Sequence, residues 1–111
     1  MIDGRVIRGV ELGCSSFIKS FGRIKDRPLH LEISNTLRSL LLLSLDAVPR
    51  KLHMHPLQGK HVPSRLDSKV KVPAWSLHVT SDDRYKASFT FENGTLYFRL
   101  VDEHDVIDKN P

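Results

Sequence analysis

WSLHVTSDDRYKASFTFENGTLYFRLV, residues 75–101, decides the fold. Three runs in it alternate apolar and polar side chains, with turn residues between them, which is the pattern of an antiparallel meander half-buried on one face. Asn93-Gly94 fixes the second turn, because a two-residue type I′ hairpin needs positive φ at both central positions. The register that follows pairs Phe91 with Leu96, Phe89 with Phe98 and Ala87 with Leu100 on an apolar face. Thr90 with Tyr97, Ser88 with Arg99 and Lys86 with Val101 share the other face. Trp75, Leu77 and Val79 of the first run match the apolar side; Ser76, His78 and Thr80 match the polar side. Whatever the length of the Ser81–Arg84 loop, keeping the apolar faces together puts His78 opposite Lys86 or diagonal to it. The expectation is a sheet with one face on the core and the other presenting His78, Lys86, Ser88 and Arg99 to solvent.

Working back from this stretch, Arg5 to Leu12 reads as an edge strand weakened by Gly9. Ser15 or Ser16 is placed to cap a first helix carrying Phe17, Ile18, Phe21 and Ile24 and ending near Lys25. Pro28 suits the start of a second helix, whose stripe of Leu29, Ile33, Leu37, Leu40 and Leu41 widens into Leu42, Leu43 and Leu45 before Pro49. The two read as a helical hairpin. Residues 51–60 read as a loop or short edge segment, and residues 61–73, with Pro63 and Pro73, as an extended, mobile loop. Beyond the meander, Val106-Ile107 forms a terminal turn and residues 108–111 fray. The fold class is α+β: an N-terminal strand, then a two-helix hairpin packed on a mostly antiparallel four-stranded sheet, in one domain of 111 residues.

Composition narrows the function classes. The formal charge is +4, a mild bias toward polyanions. Cys14 stands alone, which excludes an internal disulfide and fits a reducing compartment. No stretch has the length of a membrane span and the first residues carry charges unlike a signal peptide, so the expected location is cytoplasmic, with no membrane partner. His53 and His55 lie two apart, but further ligands at metal-site spacing are missing, so neither a metal nor another cofactor is expected.

Several strings, in this order, resemble the RelE/ParE superfamily of bacterial type II toxins, most of all its HigB-like plasmid-maintenance killer proteins. Met54-His55-Pro56-Leu57-Gln58-Gly59 is similar to the family's LHPLKG, Trp75-Ser76-Leu77-His78-Val79 to its WSIRV, and Tyr85 through Gly94 to its YRICFRFEDG. The last strand runs into His104, as the family's runs into a histidine or arginine. The resemblance covers residues 50–107; the helices match by arrangement alone. Departures are the longer loop between Gly59 and Trp75, Lys86 in place of an arginine, His78 as the basic residue of its strand, and no counterpart of a C-terminal tyrosine carried by some members.

The resemblance implies a toxin of a toxin–antitoxin system that acts as an mRNA interferase, an endoribonuclease cutting messages on the ribosome. That chemistry drives the ribose 2′-OH onto the adjacent phosphate and needs a base, a cation for the phosphorane and an acid for the leaving oxygen, with no metal. His78 would be the base, Lys86 the phosphate-holding cation and His104 the acid. Arg99, Arg84, His55, Lys60, Arg65, Lys69 and Lys71 would contact RNA. The implied partners are mRNA on the ribosome and a cognate antitoxin. Two alternatives stay open: a ParE-like, non-catalytic DNA gyrase inhibitor, and a catalytically degenerate member of the same fold that only binds RNA or protein.

Overall fold

The Asn93-Gly94 turn has the left-handed backbone its sequence demands, with φ of 55° and 83°. In the computed structural model, which describes residues 5–111, that turn joins β4 (Tyr85–Glu92) to β5 (Thr95–Glu103). Before them lie β1 (Gly9–Glu11), α1 (Ser15–Arg23), α2 (Arg27–Arg38), β2 (His55–Pro63) and β3 (Lys71–His78); after them comes α3 (His104–Lys109). The sheet has five strands in the order β1-β5-β4-β3-β2, antiparallel except where β1 runs parallel to β5 at one edge. The α+β class and element order are as expected from sequence. The sheet gains a fifth strand because residues 55–63, expected as a loop or short edge segment, pair with β3 across an irregularity at Gly59, where φ is 74°.

The core lies between the apolar sheet face and the first two helices. Phe17, Ile33, Leu37 and Leu40 meet Leu77, Ala87, Phe89, Leu96, Phe98 and Val101, all buried. α2 ends at Arg38 rather than running on through the leucines, and Leu42 takes a φ of 71°. A helix continued through Leu45 would set leucines all round its axis. The turn instead buries Leu40 and Leu45, leaves Leu41 and Leu42 exposed, and lets residues 42–45 exchange main-chain bonds with Arg5 and Ile7. Asp26 caps α2, its carboxylate accepting from the Leu29 N–H at 3.2 Å. α1 has no side-chain cap, contrary to the expectation for Ser15 or Ser16. Ser16 Oγ donates instead to the Arg99 carbonyl (2.7 Å), and Ser20 Oγ accepts from the Val101 N–H (3.0 Å). β1 covers β5 only as far as Tyr97. These two serines, one helical turn apart, satisfy main-chain groups of β5 beyond that point.

The expected hairpin register holds from Glu92–Thr95 to Phe89–Phe98 and then shifts at a bulge: Ser88 pairs with Leu100, Ala87 with Val101 and Lys86 with Asp102. Phe98 and Val101 are three apart yet both buried. Strict alternation cannot put both inside, and one extra residue, Arg99, reconciles them.

Candidate functional site

His78 and Lys86 are direct cross-strand partners at the β3–β4 end of the sheet, side chains on the polar face. That face is not open to solvent. His78 is 9% exposed, Lys86 4%, and Ser76, Ser88 and Thr90 are buried outright. The expectation of a wet face is corrected here, and so is that of a fraying C-terminus. Residues 104–109 form α3, which packs on β3, β4 and β5, buries Ile107 completely and brings Pro111 to a buried position. Alternation in sequence fixes which side chains share a face, not whether that face meets water or a polar partner.

Most of the buried polar side chains on this face have found such a partner. Lys86 Nζ donates to Asp108 Oδ1 at 2.8 Å, and the Pro111 carbonyl accepts from Ser88 Oγ at 2.8 Å and Arg99 Nε at 3.3 Å. Ser76 Oγ makes no hydrogen bond. Farther along the same face, Glu92 accepts from Ser64 Oγ, the Arg65 N–H (2.9 Å) and Thr90 Oγ1 (2.8 Å). Arg65 pairs with Glu11 at 3.3 Å and lies over the Tyr97 ring. Ser64 and Arg65, expected within a long mobile loop, are therefore tied to β4 by one carboxylate, and residues 66–70 fold back on Ser64 and Asp67.

Three imidazoles converge beside Lys86. The His78 ring lies 4.9 Å from that of His53 and 5.5 Å, edge-on, from that of His104. His78 Nδ1 meets Asp83 Oδ1 at 2.9 Å. His104 Nδ1 lies 3.2 Å from Asp108 Oδ2 and 3.4 Å from Asp105 Oδ1, so α3 supplies carboxylates to both His104 and Lys86. Burial pushes the His78 imidazole below its ordinary value, aided by the Lys86 and His53 charges and opposed by Asp83. Burial alone would raise the Asp108 carboxyl, but the hydrogen bond and charge of Lys86, with His104 and His55 nearby, hold it below the usual carboxylate range. Alongside lies a cleft of about 460 Å³, with His53, Asp83, Lys51, Glu32 and Thr36 in its walls.

The structure thus brings the three expected catalytic residues, His78, Lys86 and His104, into one cluster. The expected RNA contacts divide. His55 and Lys60 lie on β2, with Lys60 Nζ donating to the Lys109 carbonyl (3.2 Å), and Arg99 reaches Pro111. Arg84 is exposed, paired with Glu103 and set over Tyr85. Arg65, Lys69 and Lys71 are elsewhere: seven residues of extended strand, about 23 Å, separate Lys71 from His78 along β3. No pattern in the sequence singles out Asp83 or Asp108, whose roles depend on the β3–β4 turn and on the docking of α3. Spacing pairs His53 with His55, whereas a left-handed backbone (φ 48°) sets it beside His78.

Comparison with protein-family models, with curated proteins and with solved structures finds no match to this chain. Among the described residues, no group of three or more histidine, cysteine or acidic side chains is placed to hold a metal ion, and no helix is long and apolar enough to cross a membrane.

Proposed function

We propose that this chain is the toxin of a type II toxin–antitoxin pair, a RelE/ParE-like endoribonuclease that cuts mRNA on the ribosome through the 2′-OH. The observation that carries the proposal is the convergence of His78, Lys86 and His104, with Lys86 Nζ already gripping one anionic oxygen, that of Asp108. In the reaction, His78 removes the 2′ proton and O2′ bonds to phosphorus. Lys86 stabilises the charge on the non-bridging oxygens, the P–O5′ bond breaks, and His104 protonates the departing O5′. A 2′,3′-cyclic phosphate and a 5′-hydroxyl result.

Asp108 holds the place at Lys86 that a phosphate oxygen takes in this scheme, so α3 shifts when RNA binds. The implied partner is an antitoxin that masks the same basic surface.

The burial of Lys86 and Ser88 beneath α3 favours a second reading, a catalytically degenerate member that binds RNA or protein through its surface. Expression in bacteria with mapping of transcript 5′ ends decides between them. Cuts inside translated codons, with growth restored by His78→Ala and by His104→Ala, support the nuclease. Intact messages with growth unaffected support the degenerate member, and intact messages with gyrase-linked DNA damage support a ParE-like inhibitor.

A further inference from the structure

We propose that Asp83 is a positioning residue for His78: its carboxylate holds the imidazole as the Nδ1–H tautomer and leaves the Nε2 lone pair free to accept a proton. This deepens the RNA-cleaving proposal and rests on it for the reaction, though not for the geometry.

The argument begins with the turn that carries Asp83. Its backbone sits at φ 59°, a conformation that glycine or asparagine adopts more readily than aspartate. The hydrogen bonds of the turn do not use the Asp83 side chain. Thr80 Oγ1 donates to Asp82 Oδ1 (2.6 Å), the Arg84 N–H donates to the same oxygen (3.1 Å), and the Tyr85 N–H donates to Thr80 Oγ1 (3.2 Å). Thr80 and Asp82 therefore build the loop, and the Asp83 carboxylate is left for His78 at 2.9 Å. An ionised carboxylate only accepts, so the ring nitrogen facing it carries the hydrogen. The other nitrogen is then the basic one, as general-base work requires.

The surroundings agree. His53, the second left-handed residue beside His78, packs against its ring, so the imidazole is held on two sides by strained backbone. The charged and titratable groups facing His78 are Asp83 from the β3–β4 turn, Lys86 from β4, His53 from the segment before β2 and His104 from α3. Asp83 is the one anion among these. His53 and Asp83 also wall the neighbouring cleft.

The test compares the full-length wild type with Asp83→Gly and Asp83→Asn, both suited to a left-handed backbone. Long-range ¹H–¹⁵N spectra of the His78 ring are recorded across pH, together with the pH profile of cleavage of a ribosome-bound message. In the wild type, neutral His78 is the Nδ1–H tautomer. In Asp83→Gly the Nε2–H tautomer dominates and the His78 midpoint moves down, because the anion has gone while burial and Lys86 remain. The rising limb of the cleavage profile moves to lower pH with it, and the plateau drops about ten- to a hundredfold. An unchanged tautomer and midpoint in both variants overturns the proposal. A tautomer change in chains that cut no RNA upholds the positioning role and refutes the nuclease. Cleavage whose pH limb ignores both substitutions refutes the positioning role and leaves the nuclease standing.

Discussion

At the scale of single residues, the ion pair between Lys86 and Asp108 is asymmetric: the lysine side chain is 5% exposed and the aspartate 37%. Removing the aspartate strands a buried ammonium, whereas removing the lysine frees a carboxylate that water reaches. Asp108→Ala is therefore expected to destabilise the fold by about 2 kcal/mol or more, short of the ~3–5 kcal/mol of a fully buried pair because α3 can shift to admit water. Lys86→Met, which keeps the aliphatic stem, is expected to lose less. Urea unfolding of the two variants checks the order, and a larger loss in Lys86→Met would contradict it. At the same scale, Gly94 has a φ of 83° and its missing Cβ would lie 2.5 Å from the flexible Arg8 side chain. Gly94→Ala is expected to lower stability by about 1 kcal/mol, mainly through backbone strain, and an unchanged urea midpoint would show that the turn relaxes.

Among the elements, α3 is the one whose docking governs the site. Six residues do not hold a helix in water by themselves, so its order depends on Ile107, the Lys86–Asp108 pair and the contacts of Pro111. Ile107→Ala is expected to raise amide hydrogen exchange through α3 while β4 and β5 stay protected, since a short docked element opens locally before the sheet does. Equal loss of protection in β4 would mean that α3 and the sheet unfold as one unit. This element also marks the limit of what sequence conveyed. Asn93-Gly94, the alternating runs and the helical stripes carry local, periodic signals, and from them the meander, both helices and the facing of His78 and Lys86 were legible. The α3 residues show no comparable period, and Lys86 and Ser88, the β4 partners of Asp108 and Pro111, lie 22 and 23 residues back in the chain. The bulge at Arg99 was hidden likewise, because it arises from competition between Phe98 and Val101 for one core rather than from any turn residue.

For the whole molecule, the buried polar face makes stability a function of pH. His78 has a folded pKa below its ordinary 6.5, so between the two values the unfolded chain binds more protons than the folded one. Its contribution is full above about 6.5 and is lost as pH falls through the lower, folded value. Asp108 and Glu92 are also depressed, from ordinary values of 3.8 and 4.5. For Glu92, burial alone acts upward, but the donors Ser64, the Arg65 N–H and Thr90 outweigh it. Both carboxylates add stability above their ordinary values and lose it as pH falls through their folded ones. The expected urea midpoint declines in two stages on acidification, and His78→Gln removes the first stage only; a single decline in the carboxylate range, shared by that variant, would contradict the buried imidazole. Charge acts at this scale too. Lys60, Arg84 and Arg99 bond to residues of α3 or just beyond it, Arg65 lies over the Tyr97 ring, and Lys71 begins the far end of β3, so the basic groups are spread along the sheet rather than gathered at the cluster.

The most direct measurement is the chemistry of the cut ends, read by mass spectrometry after the purified chain meets a message bound in the ribosome. If His78, Lys86 and His104 act as proposed, the fragments carry a 2′,3′-cyclic phosphate and a 5′-hydroxyl, and His78→Ala yields none of them. Uncut message, or the same ends at the same rate from His78→Ala, would contradict the proposal.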